Sequence, residues 1–380
     1  MHNELIKFVR KVYQTQKFIP LHAPVFDKED EKALIRALND GYVSTVGPAV
    51  EDFENKIKEL TGAKYAIATV NGTAALHIAL KLSGVKPNTE VITQSFTFVA
   101  TCNAIKYCGA DPVFIDIDPE NLGMSQKSLR EFLDSSCEIR DDGKCWNKTT
   151  NQEVIACLPM HTYGFPSKIE NIKKICESFK IKLIEDSAES LGSYYNGKHT
   201  GTFGNSAIFS FNGNKVITTG GGGMIITNKK SFALAAKHLT TTAKNSHPWL
   251  FDHDQIGYNY RMPSINAALG LSQIKRIKRK LDDKRNLAES CQHWGHKHGY
   301  IFIIEPIKSH SNYWLNLLVA KDIAERDKIL EETNKNGVMT RPAWTPMHKL
   351  KMFKNCHKTE MLTTEWFYDR IVNMPSSPKI

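Results

Sequence analysis

The chain reads as an α/β protein: a mostly parallel sheet flanked by helices, followed by a smaller C-terminal α+β unit. Three observations predict this. Over residues 20–240, apolar runs of strand length alternate with segments of helical period, the pattern of repeated βα units. A long segment at 264–298 then carries Leu271, Ile274, Ile277 and Leu281 at helical spacing, as a connector helix would. Beyond it, an apolar run at 312–319, a helical pattern at 322–334 and a mixed tail suggest a second lobe. The expected division is 1–262 for the large unit with its N-terminal segment, and 263–380 for the connector and small unit.

The elements follow in order. Residues 27–40 read as a helix, acidic at the start, with Ala33, Leu34, Ile35 and Leu38 inside. Residues 49–60 form a second, stopped by Thr61 and Gly62. A strand at 65–70 leads through Asn71, Gly72 and Thr73 into a helix at 74–82. A strand at 90–93, a helix at 98–107 and a strand at 112–116 continue the alternation. So do a strand at 154–158, a helix at 169–179, a strand at 182–184 and an apolar strand at 207–211. The polar block 136–152 has little periodicity and reads as a surface loop or a small hairpin. No internal repeat and no low-complexity tract is present.

Composition narrows the function classes. At 380 residues the chain can bury a large core. The start of the chain has no apolar signal-peptide core, and no stretch approaches the roughly 18 apolar residues of a membrane span. The eight cysteines are scattered without CxxC spacing, which suits free thiols and a cytoplasmic location. The net charge of +10 could serve a polyanion or a small anionic substrate. Its densest run, Lys275-Arg-Ile-Lys-Arg-Lys280, lies on the connector helix and reads as a solvated basic face. Asp282 and Asp283 follow at once, and no nucleic-acid recognition motif is present. Cys291-Gln-His-Trp-Gly-His-Lys-His298 gathers zinc-type ligands, but it reads as a helix end running into Gly299, with no second ligand cluster downstream. No metal is expected.

One lysine stands out. Lys215 lies between the strand at 207–211 and four glycines, Gly220 to Gly223. A lysine so placed can lose solvation and become a nucleophile. Asp186 closes another strand, where open α/β sheets bind ligands. An amine for a Schiff base and a carboxylate for a pyridinium nitrogen are the pair that pyridoxal 5'-phosphate requires. Asn71-Gly-Thr-Ala74, between a strand and a helix, offers free N–H groups to a phosphate, and also reads as an ordinary capped helix start. Phe98 could stack on a flat ring or fill the core, and Ser210 could donate to a phosphate. His161, just past a strand, either lines a substrate cleft or is a buried structural histidine. Arg341 suits a donor carboxylate, a sugar diphosphate or a surface ion pair.

Five runs appear in register: Asn71-Gly-Thr-Ala-Ala-Leu76, Ser95-Phe-Thr-Phe-Val-Ala100, Glu185-Asp-Ser-Ala-Glu189, Phe209-Ser-Phe-Asn-Gly-Asn-Lys215 and Gly257-Tyr-Asn-Tyr-Arg-Met262. Together they resemble the DegT/DnrJ/EryC1/StrS sugar aminotransferases over about residues 18–375, which implies a fold-type-I pyridoxal-phosphate architecture. Gly41-Tyr-Val-Ser-Thr-Val-Gly-Pro48, Asn312-Tyr-Trp-Leu-Asn316 and Arg341-Pro-Ala-Trp-Thr-Pro-Met-His348 look most like one subgroup. Its members aminate a UDP-4-keto-6-deoxy-N-acetylhexosamine for legionaminic acid or bacillosamine synthesis. The resemblance implies Lys215 as the cofactor-bearing lysine, Asp186 as partner of the ring nitrogen and Phe98 as the stacking aromatic. It implies Gly72, Thr73 and Ser210 as phosphate contacts, and Glu189 where relatives carry a His or Gln that touches the cofactor's 3-oxygen. Asn259, with Arg261 as a second candidate, matches a phosphate contact taken from a neighbouring subunit, so a homodimer with shared sites is expected. The donor implied is glutamate and the acceptor a nucleotide-linked keto sugar. Amination at C3, or a non-catalytic phosphate- or nucleotide-binding protein, are the alternatives.

Overall fold

A computed structural model describes residues 2–379. Seven strands of the main sheet run in the spatial order Tyr65–Thr69, Gly223–Thr227, Ser206–Ser210, Lys182–Asp186, Gln152–Leu158, Thr89–Gln94 and Asp111–Ile115. Gly223–Thr227 is antiparallel to both neighbours; the remaining pairings along this order are parallel. The predicted fold class is therefore the observed one. The polar block resolves into a hairpin, Cys137–Ile139 with Cys145–Asn147, whose second strand pairs with the start of Gln152–Leu158.

Alternation along each strand sends side chains to two buried faces, as a sheet covered on both sides requires. Ile67, Ile208 and Ile225 enter one core with Leu76, Ile78 and Leu239. Their neighbours Ala66, Ala68, Ala207, Phe209, Met224 and Ile226 enter the other with Phe53 and Ile57. Local signals set the helix ends. Asp27 caps Lys28–Asn39 through a reciprocal capping box with Asp30. Gly62, at φ 77°, stops Ala49–Thr61. Asn71 caps Gly72–Leu82, its Oδ1 accepting from the Ala74 N–H at 2.8 Å.

The C-terminal lobe is a four-stranded antiparallel sheet in the order Ile301–Phe302, Asn316–Val319, Ile371–Met374, Arg341–Pro342, covered by the helix Ile323–Lys335. The helix His2–Tyr13 shares this lobe's core: Leu5, Ile6 and Val9 pack with Leu287, Cys291, Leu318 and Ile329. The N-terminal helix thus lies on the far side of the division drawn at 262/263.

The connector differs from the sequence reading in two ways. It is two helices, Ser264–Ile274 and Ile277–His298, broken at Lys275 and Arg276. Its basic run is also only in part a solvated face: Lys275, Lys278 and Arg279 are exposed, and the other two cations are not. Arg276 pairs with Asp27 and Asp30, and Lys280 is buried against Gln273. One turn on, the buried Lys284 donates to Trp314 O at 3.1 Å, to Ser376 O at 2.6 Å and to His22 Nε2 at 3.0 Å. Burial pushes the Lys284 ammonium down to about 7. These cations hold segments together instead of facing solvent. Cys291 lies in the apolar core, with Trp294 stacked on His298.

Candidate active site

The carboxyl ends of the strands converge on one cavity. Lys182–Asp186 delivers Asp186, Ser206–Ser210 delivers Ser210, and the turn after Tyr65–Thr69 delivers Gly72 and Thr73. The antiparallel strand contributes its start instead of its end, so Gly223 lies between Thr69 and Ser210. Lys215, Phe98 and Glu189 line the same cavity.

Its floor is an anion cradle. The Gly72 and Thr73 N–H groups stand in the first turn of a helix, where no carbonyl of that helix can accept from them. Gly72 packs so closely on Ser210 that a Cβ there would lie 3.0 Å from the Ser210 Cβ.

Asp186 is buried, its Oδ2 accepting from Thr101 Oγ1 at 2.7 Å and its Oδ1 from the Ala188 N–H at 3.2 Å. Burial raises its carboxyl above the usual value, while Thr101, the Ala188 N–H and the Lys215 charge pull the other way. Lys215 Nζ is 3.2 Å from Glu189 Oε1 and 4.0 Å from the centroid of the Trp314 ring. Glu189 Oε2 accepts the Tyr163 N–H at 2.8 Å. Burial pushes the Glu189 carboxyl up to about 7 against the pull of Lys215. Phe98, first residue before the helix Val99–Tyr107, presents a ring that is 47% exposed, edge-on to Trp344 at 5.9 Å. Trp344 in turn stacks on Tyr163 at 4.6 Å.

Seven of the expected residues, Gly72, Thr73, Phe98, Asp186, Glu189, Ser210 and Lys215, therefore meet in one place. Three do not. His161 is fully buried away from the cavity. Its Nδ1 accepts the Ser167 N–H at 3.1 Å, and its Nε2 lies 3.1 Å from Glu185. Glu185 also accepts three backbone N–H groups, from Gly201, Phe203 and Gly204. Both imidazole nitrogens are thus spent on holding loops. Arg341 is exposed on an edge strand of the small lobe, where it donates to Asn334 Oδ1 and Thr340 O. Asn259 is exposed, accepts from Arg261, and lies outside the cavity of its own chain.

Sequence reasoning passed over Thr101, Trp314 and Trp344 as site residues. Thr101 lies three residues beyond Phe98 in a helix, one turn on, which was the available signal. The tryptophans sit in two of the runs quoted for the resemblance. Only the folding of the small lobe against the large one brings them to the cavity.

Residues 24–380 match the DegT/DnrJ/EryC1/StrS aminotransferase family. The chain belongs to that family. It is 36% identical over 338 residues to EpsN of Bacillus subtilis (strain 168), provisionally named a pyridoxal phosphate-dependent aminotransferase, covering 89% of this chain and 84% of that one. It is 33% identical over 368 residues to a GDP-perosamine synthase of Escherichia coli O157:H7, covering 96% and 94%. Among solved structures, a DegT DnrJ EryC1 StrS aminotransferase from Brucella abortus superposes with a TM-score of 0.84 at 25% identity, covering 92% of this chain and 90% of that chain.

The family's cofactor is pyridoxal phosphate, and the cavity fits it. An anion cradle, a buried carboxyl, a half-exposed aromatic ring and a single lysine line the same space. The protein is accordingly a pyridoxal-phosphate-dependent aminotransferase.

Gly223 gives a test of the cradle. A Cβ there would lie 2.4 Å from Asn71 O and 2.7 Å from Gly72 N. Both are backbone atoms, so the turn at Asn71 and Gly72 itself would have to move. Gly223→Ala is expected to lower stability by about 1–3 kcal/mol and to weaken cofactor binding, measured by titrating apoprotein with pyridoxal phosphate. Unchanged affinity would show that this turn does not hold the phosphate.

Proposed function

We propose that the protein moves an amino group from glutamate to C4 of a nucleotide-linked 4-keto-6-deoxy sugar, a UDP-4-keto-6-deoxy-N-acetylhexosamine. The observation that carries the aminotransferase chemistry is the meeting of the Lys215 amine and the buried Asp186 carboxyl above one anion cradle. The relative named GDP-perosamine synthase supports a nucleotide-linked amino sugar as product class. It also favours a second reading, in which the nucleotide is GDP. The runs around Trp314 and Trp344 support the UDP-linked acceptor and a place in legionaminic acid or bacillosamine synthesis.

Pyridoxal phosphate, when bound, supplies a carbonyl carbon for an amine and a ring that accepts an electron pair. Gly72, Thr73 and Ser210 would hold its phosphate, Phe98 its ring face and Asp186 its ring nitrogen. The chain's own tasks follow from position. Asp186, shielded from water and fixed by Thr101 and Ala188, holds a proton at the ring nitrogen. Lys215 Nζ would be the group that holds and moves the proton of the donor's Cα. Trp314 and Trp344 line the cavity and supply aromatic surface to it. Donor and acceptor use this cavity in turn, so ping-pong kinetics are expected.

Asn259 is exposed, and so are Trp249, Leu250 and Phe251 a few residues earlier in the chain. This supports a homodimer in which Asn259 completes the cavity of a second copy. Among the described residues no helix is long and apolar enough to cross a membrane. The eight cysteines are free thiols, which supports a cytoplasmic location.

A panel of UDP- and GDP-linked 4-keto and 3-keto sugars, supplied with glutamate and read by product mass, tests the substrate. Conversion of the UDP-linked 4-keto sugar with the highest kcat/KM is expected. Preference for a GDP-linked or 3-keto acceptor, or no conversion at all, would overturn it.

A further inference from the structure

Glu189 is a buried carboxyl for which the mechanism above has no task. It stands three residues after Asp186 and is only 3% exposed. Its two oxygens are used differently. Oε2 is anchored by the Tyr163 N–H at 2.8 Å, and Oε1 faces Lys215 Nζ at 3.2 Å. Its own backbone carbonyl is fixed by Asn312 Nδ2 at 2.8 Å. The carboxylate is thus held rigidly with one oxygen on the amine.

We propose that Glu189 is a second acid–base group of this site, the internal acceptor for the proton that Lys215 must release before its amine can act. The inference rests on the aminotransferase reading, because only there must Lys215 alternate between ammonium and free amine. The transfer balances without a co-reactant: one Nζ–H bond breaks, one Oε1–H bond forms, and the electron pair stays on Nζ.

Three features support the transfer. The distance is within reach of a direct hydrogen bond. Glu189 is buried, as are Tyr163 and Trp314 beside it, so the amine 3.2 Å away is the proton partner at hand for the carboxyl. The carboxyl is also pushed up to about 7, near neutral pH, where a group that both takes and gives protons is most effective. The charged groups facing it are Lys215, which favours its ionised form, and Asp186, which disfavours it.

Glu189→Gln is the test. Glutamine keeps a carbonyl oxygen for the Tyr163 N–H but cannot accept the proton. Two readouts are needed. The first is thermal unfolding of the apoprotein against pH. A carboxyl raised from 4.5 to about 7 by folding stabilises fully below 4.5, and that contribution is lost as pH rises through 7. The wild type should therefore lose Tm relative to Glu189→Gln between pH 4.5 and 7, and the difference should level off above. The second is the single-turnover half-reaction of the holoenzyme with glutamate, followed by its visible band. The wild-type rate should carry an acid limb with a midpoint near 7. In Glu189→Gln that limb should disappear, with a rate loss of roughly 10²-fold. Glu189→Asp, which keeps the acid on a shorter arm, should retain the limb. An unchanged rate and pH profile in Glu189→Gln, or a lower Tm at every pH with the limb intact, would make Glu189 a structural residue and overturn the proposal. A wild type with no half-reaction for any amino donor would instead overturn the aminotransferase reading itself.

Discussion

Replacing Lys215 by alanine is expected to abolish transamination, with kcat falling by roughly 10⁴-fold or more. The expectation follows from the inventory of the cavity. Among the described residues that line it, Lys215 is the only lysine, so no neighbouring amine can take over. Its Nζ is also placed by two independent contacts, Glu189 and the face of Trp314. Lys215→Arg separates charge from chemistry. A guanidinium keeps the cation for Glu189 and Trp314 but does not deprotonate in proteins. It should be as inactive as Lys215→Ala while leaving Tm closer to wild type. Steady-state rates with glutamate and a keto-sugar acceptor, alongside thermal unfolding, distinguish these outcomes. Retained turnover in Lys215→Arg would mean that the lysine acts only as a fixed charge.

Asp186→Asn should lower the rate of the donor half-reaction by roughly 10²–10³-fold, with weaker retention of the cofactor. The substitution nearly conserves shape, and the new side chain can still accept from Thr101 or Ala188. What it loses is the negative charge that would hold a proton at the ring nitrogen. Stability should not follow activity. Burial already disfavours the Asp186 carboxylate, so removing the charge relieves a penalty in the apoprotein. An apoprotein Tm that is unchanged or raised, together with a large loss of rate, would mark a residue kept for chemistry. A parallel fall in both would assign Asp186 a structural role instead.

Much of the large lobe was legible from period and punctuation. Asp27, Gly62 and Asn71 act at helix ends as their residue types suggest. The strand order was not legible, because pairing joins segments far apart in sequence. Tyr65–Thr69 next to Gly223–Thr227 is one case. On the connector the solvated face holds for Lys275, Lys278 and Arg279 but not for every lysine, because a periodic pattern does not show which lysines find buried partners. Lys280 and Lys284 point inward, and their partners come from other segments or depend on the fold: Gln273 for the first, His22, Trp314 and Ser376 for the second.

The site shows the same division. Lys215, Asp186, Ser210 and the turn at Gly72 stand at strand ends, and strand ends can be read from a sequence. His161 occupies an equivalent position, yet its ring turns towards Glu185 and not the cavity. Which way a side chain faces past a strand end is set by packing, here by the loop at 201–204 that Glu185 gathers. The place of Arg341 has a related cause. Its neighbour Trp344 enters the cavity while Arg341 stays on the exposed edge.

One amine, that of Lys215, is proposed to carry the cofactor. Borohydride reduction of the holoprotein, followed by proteolysis and mass mapping, tests it most directly. The expected result is a phosphopyridoxyl group on the peptide containing Lys215 and loss of the visible band, with neither seen in Lys215→Ala. A label on another lysine, or no covalent label on a protein that still turns over, would contradict it.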